Sequence, residues 1–203
     1  MMGIERDILF LVSRARCITE NQVSKMFGGK KRNTKRQFKK TLRKMCSDYI
    51  LRKQPCDIDY YGFKDNSYIY YLNGSEPFKG EDLAKTLIGS EIMIKSELSN
   101  LKIKRFYRNV KVDKDVYDIF IEYLDEYSVR RQVLIDINLS TRINIQKYYG
   151  LSEKINNCTI PFFQIPKVLV VTQPGSSPSI DLRFLDIEIE FIDISLNKLL
   201  KHL

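Results

Sequence analysis

The chain has 203 residues, of which 29% are charged and 43% hydrophobic, a composition typical of one large or two small globular domains. No apolar run approaches the roughly 18 residues of a membrane-spanning helix, and Glu5, Arg6 and Asp7 interrupt any N-terminal signal peptide, so we expect a cytoplasmic protein without membrane contact. Four dispersed cysteines and one histidine exclude a zinc site of the usual spacing and most histidine-dependent catalysis, and we expect neither a metal nor another cofactor.

The net charge of +9 is concentrated in the N-terminal part of the chain. Residues 1–56 contain 15 Lys and Arg against 4 Asp and Glu, whereas the remaining residues contain 19 against 21. Between Lys25 and Lys53, twelve basic residues are accompanied by one acidic residue, Asp48. So dense a group of cations repels itself unless a polyanion neutralises it, which favours a nucleic acid as the partner over an ordinary solvated helix surface.

Two helices are predicted at the start of this basic part. Residues 4–15 carry apolar side chains at the spacing of one helical face. Thr19 and Gln22 form a capping box, in which each side chain bonds the backbone N–H of the other residue, and this motif begins a second, short helix. The second helix is expected to end at Gly28 and Gly29.

A third, basic helix is expected from an N-cap at Thr34 to about residue 48, with inward-facing Phe38, Leu42 and Met45. After it, residues 50–53 and 68–72 have strand character and are separated by a polar, turn-rich stretch. Three helices followed by a two-stranded hairpin is the element order of a winged helix-turn-helix. We therefore predict that residues 1–75 are a winged helix-turn-helix domain that binds double-stranded DNA.

In that fold the third helix enters the major groove and the hairpin contacts the flanking backbone. We therefore predict a DNA-binding surface made of the basic residues that precede and form the third helix and those of the first hairpin strand. These residues are Lys30, Lys31, Arg32, Lys35, Arg36, Lys39, Lys40, Arg43, Lys44, Arg52 and Lys53. An alternative interpretation keeps the fold and changes the ligand, because winged helices also bind RNA or protein.

From residue 80 the basic excess disappears and helices alternate with strands, which indicates a second domain over residues 80–203. A helix is predicted at 81–98 with one apolar face, formed by Leu83, Leu87, Ile94 and Leu98. Strands are predicted at 103–112, 116–123, 132–138 and 167–172, a helix at 144–151, and a closing strand and helix within 185–203. Residues 168–171 are apolar on both faces, as in a central strand of a covered sheet. The predicted fold class of the whole chain is α+β.

Three residues of this second domain are candidates for catalysis. Asp118 and Asp136 lie in neighbouring predicted strands, and Lys147 lies in the helix that follows them. Two carboxylates and a lysine are the groups with which a PD-(D/E)XK nuclease holds Mg²⁺ and supports the attacking water. The position expected for that lysine, two residues after Asp136, holds Asn138. Acids that alternate with apolar residues are also what a half-exposed strand shows, so nuclease activity is kept only as the alternative.

Several segments together resemble the replication-relaxation family. They are the wing that ends in Asn73-Gly74, the strand with Asp118, and the segments 134–141, 147–149 and 165–172. The resemblance implies a helix-turn-helix followed by a degenerate PD-(D/E)XK-like domain. It also implies a DNA-binding factor of plasmids, phages or integrative elements of Gram-positive bacteria, linked to replication or conjugative transfer. The family pattern has an acid where this chain has Leu134, which implies a second domain that has kept the fold without catalysis.

Together these features predict a non-enzymatic DNA-binding protein of a mobile genetic element, acting in replication, transfer or transcriptional control. The second domain is expected to mediate dimerisation or to bind a replication or transfer protein. A homodimer is expected because symmetric DNA readers are commonly dimers. The alternative from another class is a Mg²⁺-dependent nuclease that uses Asp118 and Asp136.

Overall fold

A computed structural model describes residues 3–28, 32–99, 101–175 and 187–203, with the side chains of 32–36 outside the described part. The chain is mixed α+β and forms two compact units, Met1–Leu98 and Ser99–Leu203. In the described ranges, no helix is long and apolar enough to cross a membrane.

The first unit contains four helices: α1 (Ile4–Ala15), α2 (Glu20–Phe27), α3 (Arg32–Ser47) and α4 (Gly80–Glu97). The apolar face predicted for α1 is confirmed, because Ile8, Leu11, Val12 and Ala15 are buried. The capping box of α2 is also confirmed: Thr19 Oγ1 accepts from the Gln22 N–H at 3.1 Å, and Gln22 Oε1 accepts from the Thr19 N–H at 3.1 Å. Helix α3 begins two residues before the predicted cap.

Three strands of the first unit form an antiparallel sheet in the order β1-β5-β2. They are β1 (Cys17–Thr19), β2 (Leu51–Pro55) and β5 (Tyr68–Leu72). The pairing of β2 with β5 confirms the predicted hairpin strands. The stretch predicted as a polar turn contains a small hairpin of its own, β3 (Ile58–Tyr60) with β4 (Phe63–Asp65). Neither this hairpin nor β1 is predicted by the sequence pattern.

Helix α4 belongs to the first unit, so the chain divides after residue 98 and not between 75 and 80. Polar contacts show why. Ser90 Oγ donates to the Cys17 carbonyl at 2.6 Å, and Gln22 Nε2 donates to the Leu87 carbonyl at 2.9 Å. Lys25 also forms an ion pair of 2.6 Å with Glu91. These contacts attach α4 to β1 and α2.

The single apolar face predicted for α4 is wrong. Leu87 and Ile94 are buried as expected, but Leu98 is 56% exposed and Leu83 is partly exposed. Burial instead extends over Ala84 and the whole segment from Thr86 to Ile94. A helix that is buried around most of its circumference is a core helix and lacks the polar face of a surface helix.

The second unit contains a five-stranded sheet in the order β10-β9-β8-β7-β6. Its strands are β6 (Lys102–Val112), β7 (Asp115–Leu124), β8 (Arg130–Ile137), β9 (Lys167–Thr172) and β10 (Ile189–Asp193). Strands β6, β7 and β8 pair antiparallel, whereas β8, β9 and β10 pair parallel. The prediction for residues 168–171 is confirmed, because β9 is an inner strand and its Val168, Leu169, Val170 and Val171 have no exposed surface.

The helix predicted at 144–151 is absent as one element. A 3-10 turn covers Ile145–Lys147, and a short helix, α5 (Leu151–Lys154), begins only after Gly150. Gly150 has φ 62°, a left-handed conformation that interrupts a right-handed helix and that glycine adopts without strain. A second 3-10 turn, Ile155–Asn157, follows, and α6 (Leu199–His202) ends the chain.

Candidate functional site

Helix α3 presents basic side chains to solvent along one side. Phe38, Leu42 and Met45 are buried to within 1% exposure, which confirms their predicted inward positions and fixes the rotation of the helix about its axis. The described basic residues of the helix are all exposed: Lys39, Lys40, Arg43 and Lys44. The buried face therefore determines which residues a ligand of α3 meets.

Two of these four cations form ion pairs with other helices. Lys39 Nζ lies 2.5 Å from Glu20 Oε1, and Lys44 Nζ lies 2.6 Å from Glu5 Oε1. The hydrogen bond from Lys44 lowers the pKa of the Glu5 carboxyl, and the same bond raises the pKa of Lys44. Lys40 and Arg43 have no ion pair within the described residues, so their full charge faces solvent.

The partner of Lys39 is itself held in place. The Tyr70 hydroxyl on β5 donates to Glu20 Oε2 at 3.1 Å, while the other carboxylate oxygen of Glu20 faces Lys39. Burial raises the pKa of Tyr70, and the neighbouring charge of Glu20 raises it further. A chain of contacts thus runs from the sheet through Glu20 to the α3 surface.

The first hairpin strand carries the two remaining described candidates, Arg52 and Lys53, and both are exposed. Arg52 Nε donates to Asn73 Oδ1 at 2.7 Å, and Lys53 Nζ lies 5.2 Å from the centroid of the Tyr68 ring. Lys64, in the small β3–β4 hairpin, forms an ion pair of 2.7 Å with Asp59. The strand therefore holds two oriented cations in the same unit as α3.

The remaining predicted DNA-binding residues lie before α3 in the chain or in its first turns. Lys30 and Lys31 lie outside the described residues. The backbone of Arg32, Lys35 and Arg36 forms the first turns of α3, while their side chains lie outside the described part.

Asp65, at the end of β4, connects the small β3–β4 hairpin to the start of α2. Its Oδ2 accepts from the Thr19 hydroxyl at 2.6 Å, and its Oδ1 accepts from Asn21 at 3.0 Å and from the Ser67 N–H and hydroxyl at 2.9 and 2.6 Å. The residue is 8% exposed. Sequence reasoning missed it, because its partners Thr19 and Asn21 are more than forty residues away and no local motif links them.

In the second unit, the three catalytic candidates lie on neighbouring elements. Lys147 Nζ lies 2.7 Å from Asp136 Oδ1 and donates to the Val116 carbonyl at 2.5 Å. The Tyr148 hydroxyl donates to the other oxygen, Asp136 Oδ2, at 2.6 Å. Asp118 Oδ2 accepts from the Ile137 N–H at 2.7 Å, next to Asp136 in the chain.

Lys147 and Tyr148 compete with a cation for Asp136. Mg²⁺ binds carboxylate oxygens, and each oxygen of Asp136 already accepts a hydrogen bond from one of these two side chains. Among the described residues, no group of three or more His, Cys, Asp or Glu side chains is placed to hold a metal ion. Burial raises the pKa of Tyr148, and the charge of Asp136 raises it further. The cluster therefore keeps Tyr148 protonated and attaches the 3-10 turn of Lys147 to the sheet.

Sequence reasoning identified Lys147 as a possible replacement for the lysine of the nuclease motif and missed Tyr148 as a partner of Asp136. The signal was present in the sequence, because two adjacent polar residues, Lys147 and Tyr148, follow the strands that carry Asp118 and Asp136.

Comparison of the chain with models of protein families, with curated proteins and with solved structures finds no match.

Proposed function

We propose that the chain is a non-enzymatic protein that binds double-stranded DNA through α3 and the β2–β5 hairpin. The observation that carries the proposal is the surface of α3, where four exposed cations lie opposite a buried apolar face and two of them, Lys40 and Arg43, have no ion pair within the described residues. Neutralisation of phosphates by such cations, with release of counterions, supplies most of the affinity of basic modules for DNA.

The arrangement of the first unit supports a winged helix-turn-helix as the form of this module. Helices α2 and α3 follow one another, and the strands after α3 return beside β1 in a three-stranded antiparallel sheet. In that fold α3 is the helix that enters the major groove, while Arg52 and Lys53 on the hairpin contact the flanking phosphates. The contacts of Asp65 with Thr19 and Asn21 fix the small β3–β4 hairpin relative to the start of α2.

We further propose a biological setting that follows the resemblance of the sequence to the replication-relaxation family. The protein would act on a plasmid, phage or integrative element in replication, transfer or transcriptional control. The second unit, as a degenerate PD-(D/E)XK-like domain, would serve assembly as a homodimer or contact with a replication or transfer protein.

The test is a salt-titrated binding assay of the full chain on duplex DNA. We expect Lys40→Glu/Arg43→Glu to lower the slope of log K against log salt by about 2, because each lost phosphate contact removes about 0.9. The matched control is Arg142→Glu/Lys198→Glu, which makes the same charge change at two exposed residues of the second unit. An equal loss of DNA affinity in both variants would refute a specific role for α3. If RNA competes for the protein more strongly than duplex DNA does, the proposed ligand becomes RNA.

The nuclease alternative depends on Asp118 and Asp136 sharing a cation, and the contacts of Asp136 with Lys147 and Tyr148 argue against it. Incubation of supercoiled plasmid with the chain and Mg²⁺ tests the alternative directly. Cleavage that disappears in Asp136→Ala would overturn the non-enzymatic part of the proposal.

A further inference from the structure

The second unit carries a basic segment that the proposed DNA contact does not use. Strand β6 (Lys102–Val112) contains three Lys and two Arg, and it contains no Asp or Glu. Lys102, Lys104 and Lys111 are exposed. The rest of the second unit mixes both signs of charge, so β6 is a local concentration of positive charge.

The position of β6 leaves this charge accessible. It is the last strand of the sheet order β10-β9-β8-β7-β6, so one of its edges has no strand partner among the described residues. None of the three exposed lysines has an ion pair in the part of the chain that the structure describes. Arg105, on the same strand, lies 3.8 Å from Glu122.

The length of β6 is close to the length of one turn of duplex DNA. A strand rises about 3.3 Å per residue, so Lys102 and Lys111 lie roughly 30 Å apart along the strand. Because each DNA strand winds once around the axis in about 34 Å, a straight element of this length that lies along the axis meets the same backbone at its two ends, about one turn apart. Lys102 and Lys104 at one end of β6 and Lys111 at the other are therefore spaced to contact phosphates about one turn apart.

We propose that the exposed lysines of β6 form a second DNA-binding surface that contacts the phosphates of duplex DNA. This inference rests on the proposed DNA binding and extends it, because it gives the second unit a direct contact with the same class of ligand. The contact is electrostatic and independent of base sequence, since phosphate contacts position a protein without reading bases.

Charged residues on an edge strand have another known use, which is to hinder pairing with the edge of a second chain. The two roles differ in their measurable consequences. Protection from edge pairing predicts that loss of the lysines promotes self-association without a change in the salt dependence of DNA binding. Phosphate contact predicts a smaller salt dependence in a chain whose state of association is unchanged.

The experiment measures duplex-DNA binding by the full chain as a function of salt for three triple variants. The test variant is Lys102→Gln/Lys104→Gln/Lys111→Gln, and the matched control is Arg142→Gln/Lys198→Gln/Lys201→Gln, which removes three charges from other exposed residues of the same unit. A third variant replaces the same β6 lysines by arginine and so keeps their charge. Circular dichroism and sedimentation verify the fold and the state of association of each.

We expect the glutamine variant of β6 to lower the salt slope by about 2 to 3 and the affinity by roughly tenfold or more, because up to three phosphate contacts are lost. The control and the arginine variant should keep the wild-type slope. If the triple variant fails to fold, the single changes Lys104→Gln and Lys111→Gln should each lower the slope by about 0.9.

A wild-type slope in a folded β6 variant would overturn the inference, as would an equal loss in the control. Either result leaves the role of α3 intact if Lys40→Glu/Arg43→Glu still weakens binding. Absence of DNA binding by the unchanged chain would instead refute the proposed function itself, and with it the role of β6.

Discussion

Removal of α4 should unfold the first unit, even though the sequence pattern places this helix in the second domain. Five large apolar side chains of α4 are buried: Leu87, Ile88, Ile92, Met93 and Ile94. Burial of each contributes about 1.5 to 3 kcal/mol, so together they contribute about 7 to 15 kcal/mol. This gross gain, before the entropy of ordering the helix is subtracted, is comparable with the 5–15 kcal/mol by which a typical domain is stable.

The assay compares two fragments, residues 1–75 and residues 1–98, by thermal and urea unfolding followed by circular dichroism. We expect cooperative unfolding for 1–98 and a broad, non-cooperative signal for 1–75. A point variant of the full chain, Ile88→Ala, should cost about 2 to 5 kcal/mol, as other large-to-small changes in cores do. Cooperative unfolding of 1–75 at the same temperature as 1–98 would refute the assignment of α4 to the first unit.

Two further predictions concern the polar contacts of each unit. Asp65→Ala leaves the hydrogen-bond donors of Thr19, Asn21 and Ser67 without their acceptor. It should destabilise the first unit by about 2 to 4 kcal/mol, or roughly 10 to 30 °C in Tm. The control Asp59→Ala, on the exposed part of the same β3–β4 hairpin, should leave the Tm within a few degrees. Burial and the charge of Asp136 raise the pKa of Tyr148, so its stabilising effect is complete below about pH 10, the ordinary pKa of tyrosine, and is lost as the pH rises toward the folded-state pKa. Urea unfolding at increasing pH should therefore show a free energy of unfolding that falls above about pH 10, and the same fall in Tyr148→Phe would contradict this assignment.

The elements that the sequence predicts well are those with local signals. The apolar spacing of α1, the capping box at Thr19 and the inward residues of α3 all depend on neighbours within four positions, and the structure confirms them. Strands β7 and β9 are also recognisable, because their apolar residues persist over several positions.

The features that the sequence does not predict depend on distant partners or on one backbone conformation. Strand β1 has three residues, too few for a periodic pattern, and is defined by its pairing with β5. Gly150 ends one turn and starts another, and so breaks a pattern that predicts a continuous helix. The candidate cations of α3 are predictable from composition, but the ion pairs of Lys39 and Lys44 require Glu20 and Glu5 from other helices.

The position of α4 in the first unit has a consequence for synthesis of the protein. Domains fold as units while the ribosome adds about 5 to 20 residues per second. The first unit is complete only when Glu97 has been added, 25 residues after the last strand residue, Leu72. For roughly 1 to 5 s, at that elongation rate, the nascent chain has its basic helix and both hairpin strands without α4, which packs against α1, α2 and β1. During this interval the positive segment is close to the polyanionic RNA of the ribosome, and the late arrival of α4 sets the moment at which the unit folds.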